Sequence, residues 1–209
     1  MKELDPRRFL IALKGMGVDS YFSARENLTM LPTLKKQVMT CTKCGLAEGR
    51  KQAVFGEGDV NARLLYVGEA PGEEEDLQGR PFVGRAGKLL DQMIERVGLK
   101  REEVYICNVL KCRPPGNRDP EPGEIGSCKP YLLSQIELVD PAVICTLGRH
   151  AYNTLLDVDE RITRIRGSLT QFKGRKLLPA YHPSFLLRNE DRMKEAWDDM
   201  DRLRHLLRG

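Results

Sequence analysis

The sequence has no long apolar run. None of its 209 residues belongs to a stretch approaching the roughly 18 consecutive apolar residues that a membrane-spanning helix needs. Its start, MKELDPRRFLIALKG, includes Glu3 and Asp5 and only a short apolar patch, so it lacks the long apolar centre of a secretory signal. With 31% charged and 41% apolar residues, the composition is typical of a soluble globular protein. We therefore expect a cytoplasmic protein without a membrane partner.

Two nucleotide-binding motifs are missing from the Gly-rich stretch GEAPGEEEDLQGRPFVGRAGK. A Walker A loop needs a glycine five residues before its Gly-Lys pair, but Phe82 stands at that distance from Gly87. It also needs Ser or Thr after the lysine, where this chain has Leu89. No Gly-x-Gly-x-x-Gly motif follows the first apolar run. The stretch is therefore not predicted to bind the phosphates of a nucleotide.

Six cysteines are present, and a reducing compartment makes a disulfide framework a poor explanation for them. Cys41 and Cys44 form a C-x-x-C pair, a spacing that lets two thiolates reach one metal centre from a tight turn. Cys112 and Cys128 follow without forming a second such pair, which makes a zinc ribbon a poorer match. The pattern indicates a four-thiolate metal site, with free thiols as the alternative.

From residue 63 onward, apolar runs alternate with helical patterns. The runs RLLYVG, EVYICNVL, AVICTLG and KLLPAY predict four strands. Helices are predicted at about 86–97, 122–138, 149–156 and 192–207. Such alternation favours an α/β fold, a three-layer α/β/α sandwich around a four-stranded parallel sheet. Cys107 and Cys145 lie inside two of these strands and are predicted to be core residues.

The chain is predicted to have two parts. Residues 1–35 read as a helical N-terminal extension, and residues 36–209 as one catalytic domain. Within the second part, residues 161–176 carry six basic side chains and no acid. This segment is either a contact for nucleic-acid phosphates or a solvated basic hairpin.

Ligands of a parallel sheet bind beyond the carboxyl ends of its strands. The acidic stretch GEAPGEEED follows the first strand, Asn108 ends the second, and His182 follows the fourth. The acidic stretch holds five carboxylates that would repel a phosphate backbone, so one or two of them are expected to act chemically if it faces nucleic acid. The alternative is a solvated acidic loop. Pro183 fixes the backbone beside His182, which suits a ligand-contacting side chain, although a lone histidine is more often structural.

Taken together, these motifs resemble the family 4 uracil-DNA glycosylases, within the wider uracil-DNA glycosylase superfamily. The resemblance covers roughly residues 38–190, and six motifs occur in the family's order. They are C-T-K-C, GEAPGEEED, GRPFVGRAG, NVLKCRPPGNRDP, Cys128 and the HPS triplet. The resemblance implies an α/β/α domain with a structural [4Fe–4S] cluster and excision of uracil from DNA.

The family's site residues are carried over to matching positions of this chain. The resemblance implies that the cluster ligands are Cys41, Cys44, Cys112 and Cys128. It also implies that Phe82 stacks on the flipped base, Asn108 reads its polar edge, and His182 donates a hydrogen bond to the uracil oxygen that gains charge. The backbone around Glu69 and Ala70 would line the same pocket, and Glu75 would position the water.

Some features depart from related branches. The best-known branch has an aspartate and a tyrosine where this chain has Ala70 and Gly72, so thymine must be excluded by other groups, for which Glu69 and Phe82 are candidates. The interval between Cys112 and Cys128 contains no histidine, so the covalent DNA capture of a related cluster-bearing family is not expected.

The sequence therefore predicts a monomeric, monofunctional hydrolase of base excision repair that acts on uracil in single- or double-stranded DNA. One alternative is a glycosylase of the same fold for another deaminated base. Another is a non-catalytic DNA-binding module organised by four cysteines. The chemical side chains at three strand ends argue against this last interpretation.

Overall fold

The computed structural model describes residues 24–208. The helical segments predicted before residue 24 lie outside this range. The helices are α1 (Ala24–Met39), α2 (Leu46–Gly49), α3 (Glu73–Gln78), α4 (Arg85–Val97), α5 (Pro122–Val139), α6 (Arg149–Leu156), α7 (Ile162–Ile165), α8 (Pro183–Leu186) and α9 (Met193–Arg208). The strands are β1 (Glu57–Gly58), β2 (Leu64–Gly68), β3 (Tyr105–Asn108), β4 (Val143–Leu147), β5 (Thr170–Phe172) and β6 (Arg175–Ala180).

The strands form one sheet in the order β1-β3-β2-β4-β6-β5. Strands β3, β2, β4 and β6 are mutually parallel, which confirms the predicted α/β class and its four parallel strands. Two short antiparallel strands extend the sheet, β1 beside β3 and β5 beside β6. At two and three residues, they are too short to show an alternating apolar pattern.

The central strands are buried on both faces, as their continuous apolar runs require. Along β2, Leu65 and Val67 point to a core shared with α1, α5 and α6, while Leu64 and Tyr66 point to a core shared with α4 and α9. Parallel pairing aligns Gly68 with Asn108 at the carboxyl ends of β2 and β3. The sheet thereby places the predicted site residues at one edge.

Helix α1 crosses the predicted boundary between residues 35 and 36. Its Leu31, Leu34 and Val38 are buried in the core that it shares with α5. The division of the chain into 1–35 and 36–209 stays a prediction. Among residues 24–208, no helix combines the length and the apolar character that crossing a membrane requires.

The acidic stretch after β2 is partly helical rather than a loop throughout. Helix α3 begins after Gly72, where the Gly72 N–H donates to the Glu75 carboxylate at 3.1 Å. Asp76 is buried, and both of its carboxylate oxygens accept from the Lys51 backbone N–H. Two of the five carboxylates therefore hold local structure, a role that a count of acidic residues does not reveal.

Four of the six basic side chains at 161–176 are engaged within the protein, and one of them, Lys176, donates to the Leu206 carbonyl oxygen at 3.4 Å. The other three form ion pairs with acids of α5, its C-terminal cap and α9: Arg166 with Asp199, Lys173 with Glu137, and Arg175 with Asp140. Arg161 and Arg164 remain exposed. These two are the side chains of the segment best placed to meet phosphates.

Candidate active site

A cavity of about 440 Å³ lies beyond the carboxyl ends of the parallel strands. All six residues predicted to act on the base or the water line it: Glu69, Ala70, Glu75, Phe82, Asn108 and His182. The structure therefore brings these residues together, although they are up to 113 positions apart in the sequence, from position 69 to position 182.

Gly68 allows two of these side chains to approach each other. A Cβ at position 68 would lie 2.2 Å from the Asn108 Oδ1 and 2.5 Å from the Phe82 Cζ, so only glycine fits. Phe82 itself has a φ of 51°, in the left-handed region that aromatic residues rarely adopt. Gly87 permits this turn, because a Cβ there would lie 1.9 Å from the Phe82 carbonyl oxygen.

The Glu75 carboxylate ties the turn that carries Phe82 to the start of α3. Its Oε1 accepts from the N–H groups of Val83 at 2.8 Å and Gly84 at 2.9 Å, while Oε2 accepts from Gly72. Such charge-assisted hydrogen bonds are stronger than neutral ones. Glu75 thus fixes the conformation of the cavity wall, whatever further role it has toward a water.

Asn108 places an unsatisfied acceptor in the cavity wall. The residue is 2% exposed, and its Oδ1 has no hydrogen-bond partner among residues 24–208. A buried polar atom without a partner costs about 1–3 kcal/mol. This arrangement is suited to a ligand that brings an N–H donor to Oδ1.

His182 presents a donor to the same cavity. Its Nδ1 accepts from the Ser184 backbone N–H at 3.1 Å, so the proton of the neutral ring lies on Nε2. Burial, with a smaller contribution from the Arg188 charge, lowers the pKa of His182 to about 4, against the opposing effect of Glu75. The ring is therefore neutral near pH 7. It lies 5.6 Å from the Phe82 ring, centroid to centroid.

The sequence did not reveal that Glu69 belongs to a cluster of ionisable side chains on the cavity wall. Glu69, Asp119 and His150 have ligand atoms within 4.8 Å of one another, and Arg149 pairs with Asp119 at 2.7 Å. Burial, aided by Asp119, raises the pKa of Glu69, against the opposing charges of His150 and Arg149. Nothing in the helical pattern around His150 indicates that its side chain lies on the cavity wall.

Four thiols line a second, smaller cavity, and they are the four predicted metal ligands. Cys41 and Cys44 lie between α1 and α2, Cys112 follows β3, and Cys128 lies on α5. The Arg50 guanidinium donates to the Cys112 Sγ at 3.1 Å and to the Met39 carbonyl oxygen. The cavity thus joins three segments that are distant in the sequence.

These four buried or partly buried thiols are suited to binding a metal. Burial raises the pKa of Cys112, and burial with neighbouring thiols raises that of Cys128 to about 11, so the thiolates need a compensating cation. Within residues 24–208, no three of the thiols have sulfurs within 4.8 Å of one another. No trio of them is therefore as closely spaced as the sulfurs around a single tetrahedral zinc ion, which lie roughly 3.8 Å apart.

Comparisons with known proteins agree with this geometry. Residues 55–201 match the model of the uracil DNA glycosylase superfamily. The chain is 48% identical to a type-4 uracil-DNA glycosylase of Thermotoga maritima over 77% of this chain and 84% of that protein. It is 45% identical to a type-4 uracil-DNA glycosylase of Sulfurisphaera tokodaii over 84% of each. A type-5 uracil-DNA glycosylase of Thermus thermophilus is 30% identical over 70% of this chain and 85% of that protein.

Proposed function

The chain belongs to the uracil DNA glycosylase superfamily, with type-4 enzymes among its relatives, and from that premise we propose that it excises uracil from DNA by hydrolysing the N-glycosidic bond. The observation that carries the proposal is the pairing of an unpartnered acceptor on Asn108 with a neutral donor on His182 in one cavity. Uracil offers the complementary groups, an N3–H donor and carbonyl acceptors. The product is an abasic site for base excision repair.

The base reaches this cavity only by leaving the DNA stack. Extrusion of a nucleotide costs a few kcal/mol, and stacking on an aromatic ring returns about 1–3 kcal/mol. Phe82, held in its turn by Glu75 and Gly87, supplies that ring. The aromatic lining continues with Tyr181 and Phe185, whose rings stack on each other at 4.9 Å between centroids.

In the reaction, the electron pair of the C1′–N1 bond leaves with uracil, and a water oxygen forms a new bond to C1′. The water loses one proton, which the uracil anion can take up, so the products are uracil and an abasic deoxyribose. The transition state carries negative charge on the base and positive charge on the sugar. The His182 Nε2–H stabilises the first, and the Glu75 carboxylate, which also holds the wall, supplies negative charge for the second.

Selectivity follows from the Asn108 amide. Its Oδ1 accepts from the uracil N3–H, and its N–H group donates to the O4 carbonyl. Cytosine has an amino group in place of O4 and no proton at N3, so both contacts are lost and buried polar groups stay unpaired. The amide thus discriminates between the two pyrimidines.

Cys41, Cys44, Cys112 and Cys128 would hold a [4Fe–4S] cluster, whose contribution when bound is structural. The four cysteines connect the end of α1, the segment after β3, and α5. Because the free energy of metal binding to a folded thiol site adds to the free energy of folding, such a site stabilises this side of the domain. No step of the hydrolysis passes through it.

The proposal is tested by measuring free base released from single- and double-stranded oligonucleotides that contain uracil, thymine or hypoxanthine. We expect release of uracil and none of thymine. Release of hypoxanthine alone would favour the same fold acting on another deaminated base. Binding of DNA without release of any base would favour a non-catalytic DNA-binding module.

A further inference from the structure

A fully buried lysine lies between the base cavity and the thiol site, and the proposed reaction does not use it. Lys111 is 1% exposed, and its Nζ donates to the Asn108 carbonyl oxygen at 2.7 Å and to the Gln135 Oε1 at 2.5 Å. Lysine is almost never fully buried unless its ammonium is paired. Because burial of a lysine amine is unfavourable, the position of Lys111 indicates that its side chain has a specific role.

The surroundings of Lys111 connect the two sites. It lines the thiol cavity beside Cys112, and its own carbonyl oxygen accepts from the Val54 N–H at 2.7 Å. Gln135 lies on α5, the helix that carries Cys128. The Gln135 Nε2 donates to the Phe55 carbonyl oxygen and to the Tyr105 hydroxyl, so the whole amide is engaged.

Lys111 does not line the base cavity, so its amine is not placed to contact the deoxyribose. Its contact there is indirect, through the main chain of Asn108. Because the Asn108 side chain carries the unpartnered Oδ1, a small shift of its backbone moves that acceptor relative to the base.

We infer that Lys111 is a positioning residue, which fixes the Asn108 amide for base recognition by tying its carbonyl to the cysteine-bearing helix α5. The inference rests on the proposed function. Removing the Lys111 Nζ takes a donor from both the Asn108 carbonyl and the Gln135 Oε1. A misplacement of about 1 Å at a reacting centre costs on the order of 10²-fold in rate.

The test compares Lys111→Met with Lys100→Met, a matched change at an exposed lysine. Single-turnover excision of uracil, iron content and thermal midpoint are measured for the full-length holoenzyme. We expect Lys111→Met to keep its iron and to lose about 10- to 100-fold in the single-turnover rate. Lys100→Met should match the wild type in all three measurements.

A double-mutant cycle separates positioning from a merely structural role. If Lys111 acts through Asn108, adding Lys111→Met to Asn108→Ala should cause little further loss, because the side chain that it positions is already gone. Equilibrium binding of free uracil and 3-methyluracil gives a second readout, independent of turnover. Lys111→Met should reduce the preference for uracil, and Lys100→Met should keep it.

If Lys111→Met does not fold or loses iron, the same cycle is run with Lys111→Leu, which also removes the donor. Equal rates for Lys111→Met and Lys100→Met would overturn the inference, as would losses that add fully to those of Asn108→Ala. A wild-type protein that releases no uracil would instead overturn the proposed function, so the two failures are distinguishable.

Discussion

Asn108 and His182 offer opposite hydrogen-bonding groups to the same cavity, and each is fixed by a different neighbour. The Asn108 carbonyl oxygen accepts from the Lys111 Nζ, and the His182 Nδ1 accepts from the Ser184 N–H. These contacts leave Oδ1 as an acceptor and Nε2–H as a donor. The two groups that meet the base are therefore fixed by contacts with Lys111 and Ser184, which lie three and two positions further along the chain.

The unpartnered Asn108 Oδ1 gives a prediction about ligand selectivity. Free uracil should inhibit excision more strongly than 3-methyluracil, by about tenfold or more, because methylation removes the N3–H that Oδ1 accepts. Competitive inhibition constants for the two compounds measure the ratio. In Asn108→Ala the two inhibition constants should become about equal. In Asn61→Ala, a change at an exposed asparagine, their ratio should stay as in the wild type. Equal inhibition of the wild type by both compounds would contradict this role of Asn108.

The lowered pKa of His182 gives a prediction about pH. Nitrogen-15 NMR of labelled protein, with His182→Gln to assign the signal, should show the neutral Nε2–H tautomer at pH 6 and a midpoint near 4. Because an unfolded histidine titrates near 6.5, the neutral ring contributes stability above pH 6.5 that is lost as the pH falls through about 4. Urea unfolding should accordingly depend less on pH in His182→Gln over this window. A midpoint at or above 6 would contradict the lowered pKa of His182.

At the scale of elements, one carboxylate connects α3 to the start of α4. The Glu75 carboxylate accepts from the N–H groups of Gly72, Val83 and Gly84 through both of its oxygens. In Glu75→Gln, only one oxygen acceptor remains, and it is uncharged. Hydrogen bonds to a charged group contribute about 1.5–3 kcal/mol, so exchange of these backbone amides with deuterium should rise by about 10- to 100-fold. Glu74→Gln, at the exposed neighbouring position, is the control. Unchanged exchange in Glu75→Gln would mean that the carboxylate does not hold this turn.

The sequence predicted the elements that have a continuous pattern. The four parallel strands and helices α4, α5, α6 and α9 lie within one or two residues of their expected bounds. Strands β1 and β5 and helix α3 were not predicted, since two to six residues are too few for a period to be visible. Strand ends located Asn108 and His182 because parallel strands meet at one edge.

Other parts of the site depend on contacts between residues distant in sequence, and a pattern does not show them. His150 reaches the cavity from α6, and Asp119 from the segment between two cysteines. The basic segment suggested a phosphate contact, but Arg166 is paired with the buried Asp199, 33 positions away. Lys111 reads as one more charge in NVLKCRPP, and only the fold reveals its burial.

At the scale of the whole molecule, the thiol site connects segments that lie far apart in the sequence. We expect Cys128→Ser to lose iron, visible absorbance and several degrees of thermal midpoint, since metal binding contributes to folding. Cys145→Ala changes a thiol that is buried within β4, away from that site, and should keep its iron. The wild type and the two variants are compared by iron analysis and visible spectra of anaerobically purified protein. Colourless wild-type protein would contradict the cluster assignment.

The central claim is that Phe82, Asn108 and His182 act together on one extruded uracil. Its most direct test is the single-turnover rate of uracil release from a single-stranded oligonucleotide by the wild type and by the alanine variant of each. We expect rapid release by the wild type and losses of about 10²-fold or more for Asn108→Ala and His182→Ala. Wild-type rates in both of these variants would contradict it.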